Sequence, residues 1–138
     1  MIGAAIIGGA GYTGGEAIRL LLNHPAAQLR FVQSTSNAGN LLSDVHSDLF
    51  GDTSMRFVAE PDFDGVDVVF LCVGHGDARK YLESHDIPSS VKVIDLSQDF
   101  RLAATSSIGE RQFVHGLPEV NYDAIAGASN IANPGCFA

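Results

Sequence analysis

A glycine-rich turn near the amino terminus carries the first residues whose spacing points to chemistry. Residues 9–14 match G-x-G-x-x-G between an apolar run and a helical pattern. In such a turn the first glycine permits the bend, the second lets a pyrophosphate approach the backbone, and the third lets the helix pack on the strand. Glycine turns without a ligand also exist, but the strand and helix around this one favour a ligand. We predict a dinucleotide site formed by Gly9, Gly11, Tyr12, Thr13 and Gly14.

The end of the second predicted strand bears on which dinucleotide binds. Sites that prefer NAD usually place Asp or Glu about 20 residues after the glycines, where the carboxylate binds the ribose 2′-hydroxyl. Here that position holds Ser34, Thr35 and Ser36 instead. Their hydroxyls suit a 2′-phosphate, which a carboxylate would repel, although hydroxyl residues also cap strand ends. We predict NADP(H) as the cofactor.

A cysteine near the carboxyl terminus is the candidate nucleophile. Cys136 follows Asn-Pro-Gly, a turn that can deliver a thiol to the first turn of a helix, one of the settings that activate it. An inert cysteine after a turn is the alternative. Beside a nicotinamide, however, a thiolate can displace phosphate from an acyl phosphate and hold the acyl group as a thioester for reduction to an aldehyde. The other cysteine, Cys72, lies in an apolar run and is predicted to be a buried hydrophobic residue.

The elements that must position these residues alternate between strands and helices. Apolar runs predict strands at residues 2–8, 28–35, 56–59, 66–73, 91–95 and 129–132. Helical patterns cover residues 13–23 and 77–84, and residues 99–117 are predicted to be irregular. This alternation predicts an α/β fold, a Rossmann-type doubly wound parallel sheet with helices on both faces, over one domain at 1–138.

Composition excludes several classes of function. The net charge of −8 argues against nucleic-acid binding, which needs clustered Lys and Arg. No apolar run approaches the roughly 20 residues that span a bilayer, so we expect no membrane segment and a cytoplasmic protein. The histidines and cysteines lack metal-ligand spacing, and we predict no metal.

Four segments together carry a family resemblance. Residues 9–14, 94–102 (Ile-Asp-Leu-Ser-Gln-Asp-Phe-Arg-Leu), 116–119 (Gly-Leu-Pro-Glu) and 133–136 (Asn-Pro-Gly-Cys) occur in the order seen in N-acetyl-gamma-glutamyl-phosphate reductases. The sequence resembles this family within the semialdehyde dehydrogenase superfamily. The resemblance implies an arginine-biosynthesis enzyme that uses NADPH, a small acyl-phosphate substrate and Cys136 as the nucleophile.

The resemblance also implies that part of the enzyme lies elsewhere. Family members are about twice this length or more, as two-domain enzymes usually are. We therefore expect this chain to be a fragment, inactive alone. The substrate domain, the general acid/base histidine and most of the interface of a homo-oligomer are expected in the missing part.

Three further residues are site candidates. Arg101 is predicted to bind the substrate phosphate through paired N–H donors, with a salt bridge to Asp99 or Asp95 as the alternative. Asn133 either orients the substrate or only shapes the turn before Cys136. His75 follows the strongest strand, at the edge where parallel sheets bind ligands, and is predicted to line the cofactor cleft.

Two other functions remain open from the sequence. One is an aspartate-semialdehyde dehydrogenase-like enzyme, which shares the fold and the thioester mechanism. The other is a non-catalytic dinucleotide-binding module, such as a redox sensor. The Asn-Pro-Gly-Cys segment favours the first family over the aspartate-semialdehyde dehydrogenases. The Arg101 segment and the Gly-Leu-Pro-Glu run, which a sensor does not need, favour it over the non-catalytic module.

Overall fold

The computed structural model describes residues 1–137 of the chain. Its strands and helices are, in order, β1 (Ile2–Ile7), α1 (Tyr12–Leu22), β2 (Ala27–Gln33), α2 (Leu42–Val45), β3 (Val68–Leu71), α3 (Asp77–Ser84), β4 (Lys92–Asp95), β5 (Ser107–Ile108), β6 (Arg111–Gln112), β7 (Val114–His115), α4 (Pro118–Ala126) and β8 (Asn130–Ala132). Each helix within residues 1–137 is too short or too polar to cross a membrane.

The main sheet is parallel throughout. Within the described residues its six strands run in the order β2-β1-β3-β4-β8-β7, and every neighbouring pair is parallel. Since β1 lies between β2 and β3, the chain crosses from one side of β1 to the other, and the carboxyl ends of all three strands meet at one edge. The prediction of a doubly wound parallel α/β sheet is confirmed.

Alternation along the strands divides the apolar residues between two faces. In β1, Ala5 and Ile7 join one buried cluster with Ala78 of α3. The intervening Ile6 joins the other cluster with Ile18 of α1. Successive side chains of a strand point to opposite faces, so a strand covered on both sides must be apolar throughout. Helices therefore cover both faces, as the sequence predicts.

Two of the predicted elements differ in the structure. Residues 56–59 form no strand; they contribute only single bridges, Val58 to Gln33 and Arg56 to Leu41. The stretch predicted to be irregular contains three short strands. β5 and β6 pair as an antiparallel hairpin, and β7 adds to the edge of the main sheet beside β8. Strands of two residues carry too little periodicity to be read from sequence.

Candidate functional site

A cleft of about 490 Å³ opens at the carboxyl edge of the sheet, beyond the ends of β1, β2 and β3. It lies at the switch point between β1, which connects to β2 on one side, and β3, which connects to β4 on the other. Such a point is the usual ligand site of open parallel sheets. The residues that line it are Gly8, Ala10, Gly11, Gln33, Ser34, Thr35, Ser36, Cys72, Val73, Gly74 and Asp77.

The glycine turn between β1 and α1 has the close approaches that its pattern predicts. A Cβ on Gly14 would lie 2.6 Å from the Cα of Gly9, so only glycine lets α1 begin this close to β1. A Cβ on Gly11 would meet nothing within 4 Å, so this glycine is not required by packing within the described residues. Its open side is where a ligand can approach the backbone.

The same turn offers amide groups without partners. The N–H groups of Gly8 and Gly9 both donate to the carbonyl of Gln33, each at 3.0 Å. Among the described residues, those of Ala10 and Gly11 have no acceptor, and no side chain caps α1. Because Tyr12 and Thr13 begin α1, their N–H groups are also left over by the helix. This concentration of N–H donors suits an anion.

The hydroxyl residues after β2 line the cleft and also stabilise their own turn. The hydroxyl oxygen of Ser34 accepts the Asn37 N–H at 3.3 Å, and that of Thr35 accepts the Gln33 side-chain amide at 3.1 Å. The Ser36 hydroxyl accepts the Asn37 side-chain amide at 3.2 Å. Each oxygen acts as an acceptor here, so each O–H donor remains available to a ligand.

The segment after β4 braces the wall of the cleft. The carboxylate of Asp99 accepts hydrogen bonds from Gly76 N–H at 2.6 Å and Arg79 N–H at 3.0 Å, so it caps α3 from outside that helix. His75 itself is not among the residues that line the cleft. The lining includes Gly74 and Asp77 on either side of it, while its ring Nδ1 accepts the Gln98 N–H at 3.0 Å.

Ser97 anchors this segment to the core through Asp95, which is fully buried. The Ser97 hydroxyl donates to the Asp95 carboxylate at 2.7 Å and accepts the Asp99 N–H at 3.1 Å. Burial raises the pKa of Asp95, while the hydrogen bonds from Ser97 act in the opposite direction.

Arg101 packs against the turn that carries the candidate nucleophile. Its Nε donates to the Asn133 carbonyl at 2.8 Å and its Nη2 to the Leu96 carbonyl at 3.1 Å. Its Nη1 lies 3.3 Å from where a Cβ on Gly135 would stand. No carboxylate pairs with Arg101 among residues 1–137, where the only side chain in a salt bridge with acids is that of Arg19. The salt-bridge alternative is therefore not observed.

The two cysteines differ in their surroundings. Cys136 is exposed, in a turn that follows β8; the helix that this turn is predicted to begin lies outside the described residues. Asn133 is exposed too, and its side-chain amide donates to the Pro134 carbonyl, as a turn-forming residue would. Burial, with a further contribution from the Asp95 carboxylate, raises the pKa of Cys72 to about 12. Cys72 therefore stays a thiol at neutral pH.

Sequence reasoning missed several residues of the site. Gln33, Asp77 and Asp99 are not among the predicted site residues, although Asp77 lies two residues after His75 and Asp99 lies within the segment 94–102. No group of three or more His, Cys, Asp or Glu side chains in the described part of the chain is arranged to hold a metal ion.

Solved structures share the fold. An aspartate semialdehyde dehydrogenase from Candida albicans, determined with NADP, superposes with a TM-score of 0.69 at 17% identity, over 99% of this chain and 43% of that one. An aspartate semialdehyde dehydrogenase II from Vibrio cholerae gives 0.68 at 23% identity, over 99% of this chain and 39% of that one. At such identities the likeness shows the fold alone.

Sequence relatives are much closer. N-acetyl-gamma-glutamyl-phosphate reductases from Parabacteroides distasonis and Bacteroides thetaiotaomicron are 54% and 51% identical over all 138 residues. The chain spans 42% of the length of each of them. A family model described as the NAD binding domain of semialdehyde dehydrogenase matches residues 3–128. The chain therefore belongs to the semialdehyde dehydrogenase family, as its NAD-binding domain.

Proposed function

We propose that this chain is the cofactor-binding and nucleophile-bearing part of an NADPH-dependent reductase. The reaction is the reduction of N-acetyl-gamma-glutamyl phosphate to N-acetylglutamate 5-semialdehyde with release of phosphate, a step of arginine biosynthesis. The observation that carries the proposal is the position of Arg101 against residues 133–135, which places a guanidinium on the turn that ends in the exposed Cys136. The identity of about 50% to reductases of this name supports the choice of substrate.

The cleft fits a dinucleotide at its pyrophosphate end. The N–H groups of Ala10 and Gly11, which have no acceptor within residues 1–137, would hold the phosphates together with the start of α1. Gly11 leaves room there that any Cβ would fill. NADPH, when bound, supplies the hydride donor of the reaction.

The ribose end fits NADP better than NAD. Residues 33–36, which line the cleft, contain no carboxylate, and three of them offer O–H donors. A guanidinium lies close by, because Arg56 Nη1 donates to the Gly39 carbonyl at 2.8 Å and so sits beside the loop that follows Ser36. We propose that Ser34, Thr35, Ser36 and Arg56 recognise the 2′-phosphate.

The chain's own residues account for the acyl-transfer half of the reaction. The Cys136 thiolate attacks the carbonyl carbon of the acyl phosphate, and the bond from that carbon to the phosphate oxygen breaks. The electron pair of that bond leaves with the phosphate, and the acyl group stays on sulfur as a thioester. Arg101 has its Nη1 unused by hydrogen bonds within residues 1–137, and it would pair with the phosphate as negative charge gathers there.

We propose that residues 1–138 form the NAD(P)-binding domain and that a substrate domain belongs to the unmatched part of the relatives' length. An apolar groove of about 340 Å³ beside α1 supports this, because the half-buried Phe70, Ile94 and Leu96 line it next to that helix. The general acid/base residue and the contacts of a homo-oligomer are proposed for that other part. A cytoplasmic location is likewise proposed, from the biosynthetic role.

The test is turnover of the full-length protein that contains this chain. Oxidation of NADPH is followed with N-acetyl-gamma-glutamyl phosphate and, separately, with aspartyl phosphate. We expect turnover of the first substrate and its loss in Cys136→Ser, with NADPH binding kept. Preference for aspartyl phosphate would point to the aspartate-semialdehyde reaction instead. Binding of NADPH without turnover of either would favour a non-catalytic module.

A further inference from the structure

A buried histidine lies directly behind the glycine turn. His46 is 7% exposed, and its ring Nε2 lies 2.7 Å from the carbonyl oxygen of Gly9. The two residues are 37 positions apart in the sequence, since His46 belongs to the crossover between β2 and β3. A carbonyl oxygen only accepts, so Nε2 must be the protonated nitrogen of this ring.

The packing around the ring is specific. A Cβ on Gly15 would lie 2.8 Å from both Cε1 and Nδ1 of His46, so Gly15 is the residue that lets the imidazole pack against α1. The Phe57 ring lies on another side, with centroids 6.4 Å apart.

An ion pair fastens the same two segments together. Asp48, two residues after His46, accepts from Arg19 Nε at 2.6 Å and from Arg19 Nη2 at 2.8 Å. Arg19 belongs to α1, so this pair and the packing on Gly15 hold the crossover against the helix that starts at the turn.

The hydrogen bond between His46 and the Gly9 carbonyl fixes the direction of a whole peptide group in the turn. The Gly9–Ala10 peptide is trans, and in a trans peptide the C=O and the N–H point in opposite directions. Holding the Gly9 oxygen toward His46 therefore turns the Ala10 N–H the other way. Ala10 lines the cleft, and its N–H has no acceptor within the described residues.

We propose that His46 is a positioning residue for the dinucleotide: it holds the Gly9–Ala10 peptide so that the Ala10 N–H faces the bound pyrophosphate. The inference rests on the proposed function, since it needs a dinucleotide in the cleft. Without the ring donor, the buried Gly9 carbonyl loses its partner and the peptide is no longer held in one orientation.

Two variants separate the donor from the bulk of the side chain. His46→Gln keeps an N–H donor at a similar reach, whereas His46→Leu keeps an apolar side chain of similar size without one. The measurement is the Kd for NADPH by fluorescence titration, with a thermal melt of each variant. We expect His46→Leu to weaken NADPH binding about tenfold. This is the effect of losing one hydrogen bond of about 1.4 kcal/mol, here the bond from the Ala10 N–H to the pyrophosphate. We expect Gln to stay within about threefold of the parent, because it retains the donor.

A ligand without pyrophosphate distinguishes positioning from a general loss of structure. Adenosine 2′-monophosphate has the adenosine and the 2′-phosphate only, so its Kd should be the same in the His46→Leu variant and the parent. Equal NADPH affinity of the folded Leu variant and the parent overturns the inference, and so does an equal loss for both ligands.

If the parent binds no NADPH, the proposed function fails, and the role of His46 must be tested on the nucleotide-free protein by NMR. Ring ¹⁵N shifts of His46 should show a proton on Nε2, and a neutral ring protonated only at Nδ1 overturns the inference. The Ala10 amide resonance should move in His46→Leu and return toward the parent position in His46→Gln. An Ala10 resonance unchanged in the Leu variant also overturns it.

Discussion

Two glycines of the same turn should respond to alanine in opposite ways. In Gly14→Ala the new Cβ would meet Gly9 backbone atoms at 2.6 Å, 2.7 Å and 2.8 Å. In Gly11→Ala it would meet nothing within 4 Å, and the φ of −81° at Gly11 is one that alanine adopts readily. We therefore expect Gly14→Ala to damage the fold, and Gly11→Ala to damage only ligand binding.

The expected sizes follow from these contacts. Carbon atoms pack at about 3.5–4.0 Å, so α1 must move roughly 1 Å away from β1 in Gly14→Ala. Overpacking of this kind costs about 1–3 kcal/mol. For a domain of this size each kcal/mol lowers the Tm by about 4 °C, which gives a fall of about 4–12 °C. Gly11→Ala should change the Tm by no more than about 2 °C, because the entropic gain from replacing glycine offsets a slightly poorer helix cap.

NADPH affinity should show the reverse order: among the folded molecules, Gly11→Ala should lose more affinity than Gly14→Ala. A methyl group on residue 11 occupies the open side of the turn, and a pyrophosphate held about 1.4 kcal/mol less favourably binds about tenfold more weakly. Thermal melts by circular dichroism and NADPH titrations of both variants and the parent provide the comparison. Unchanged NADPH affinity in Gly11→Ala would refute the assignment of this turn to the pyrophosphate. A Tm equal to the parent's in Gly14→Ala would refute the steric reasoning.

Three further predictions follow from the charges and thiols near the cleft. Iodoacetamide at pH 8 should label Cys136 and spare Cys72, because a thiol of pKa about 12 is only about 10⁻⁴ ionised at that pH; labelling of both at similar rates, read by peptide mass spectrometry, would contradict the burial argument. Since burial raises the pKa of Asp95, the folded state binds its proton more tightly than the unfolded chain, and this group lowers stability as the pH rises above about 4. The Tm of Asp95→Asn minus the Tm of the parent should therefore increase from pH 4 to pH 7. A difference that stays constant across that range would count against the raised pKa of Asp95. Arg56→Leu should weaken NADPH binding several-fold and leave NADH binding unchanged; an equal loss for both nucleotides would mean that Arg56 supports the loop rather than the 2′-phosphate.

Local patterns were sufficient for the elements that border the cleft. The helix predicted at residues 77–84 is α3, Asp77–Ser84, and the helix predicted at 13–23 matches α1, Tyr12–Leu22, to within one residue at each end. Apolar runs located β1, which is buried on both faces after its first residue, and β3, which is buried on one face and half-buried on the other. These signals are local because helical periodicity and glycine turns depend on residues within a few positions of one another.

The sequence alone also determined the fold class and the family, although not the order of the strands. Alternating strands and helices admit few topologies once crossovers are right-handed. Four short segments in a fixed order were enough for the resemblance, and the match of the family model over residues 3–128 confirms it. The roles of the individual site residues stay predictions.

Only the tertiary structure decided which distant groups meet. Asp99 caps α3 from 23 residues beyond Gly76, Arg101 reaches the carbonyl of Asn133 across 32 residues, and His46 reaches Gly9 across 37. The two-residue strand β7 exists only because β8 offers it a free edge. Such contacts leave no periodic signal in the sequence, because they arise where loops from separate elements meet and bring together residues that are far apart along the chain.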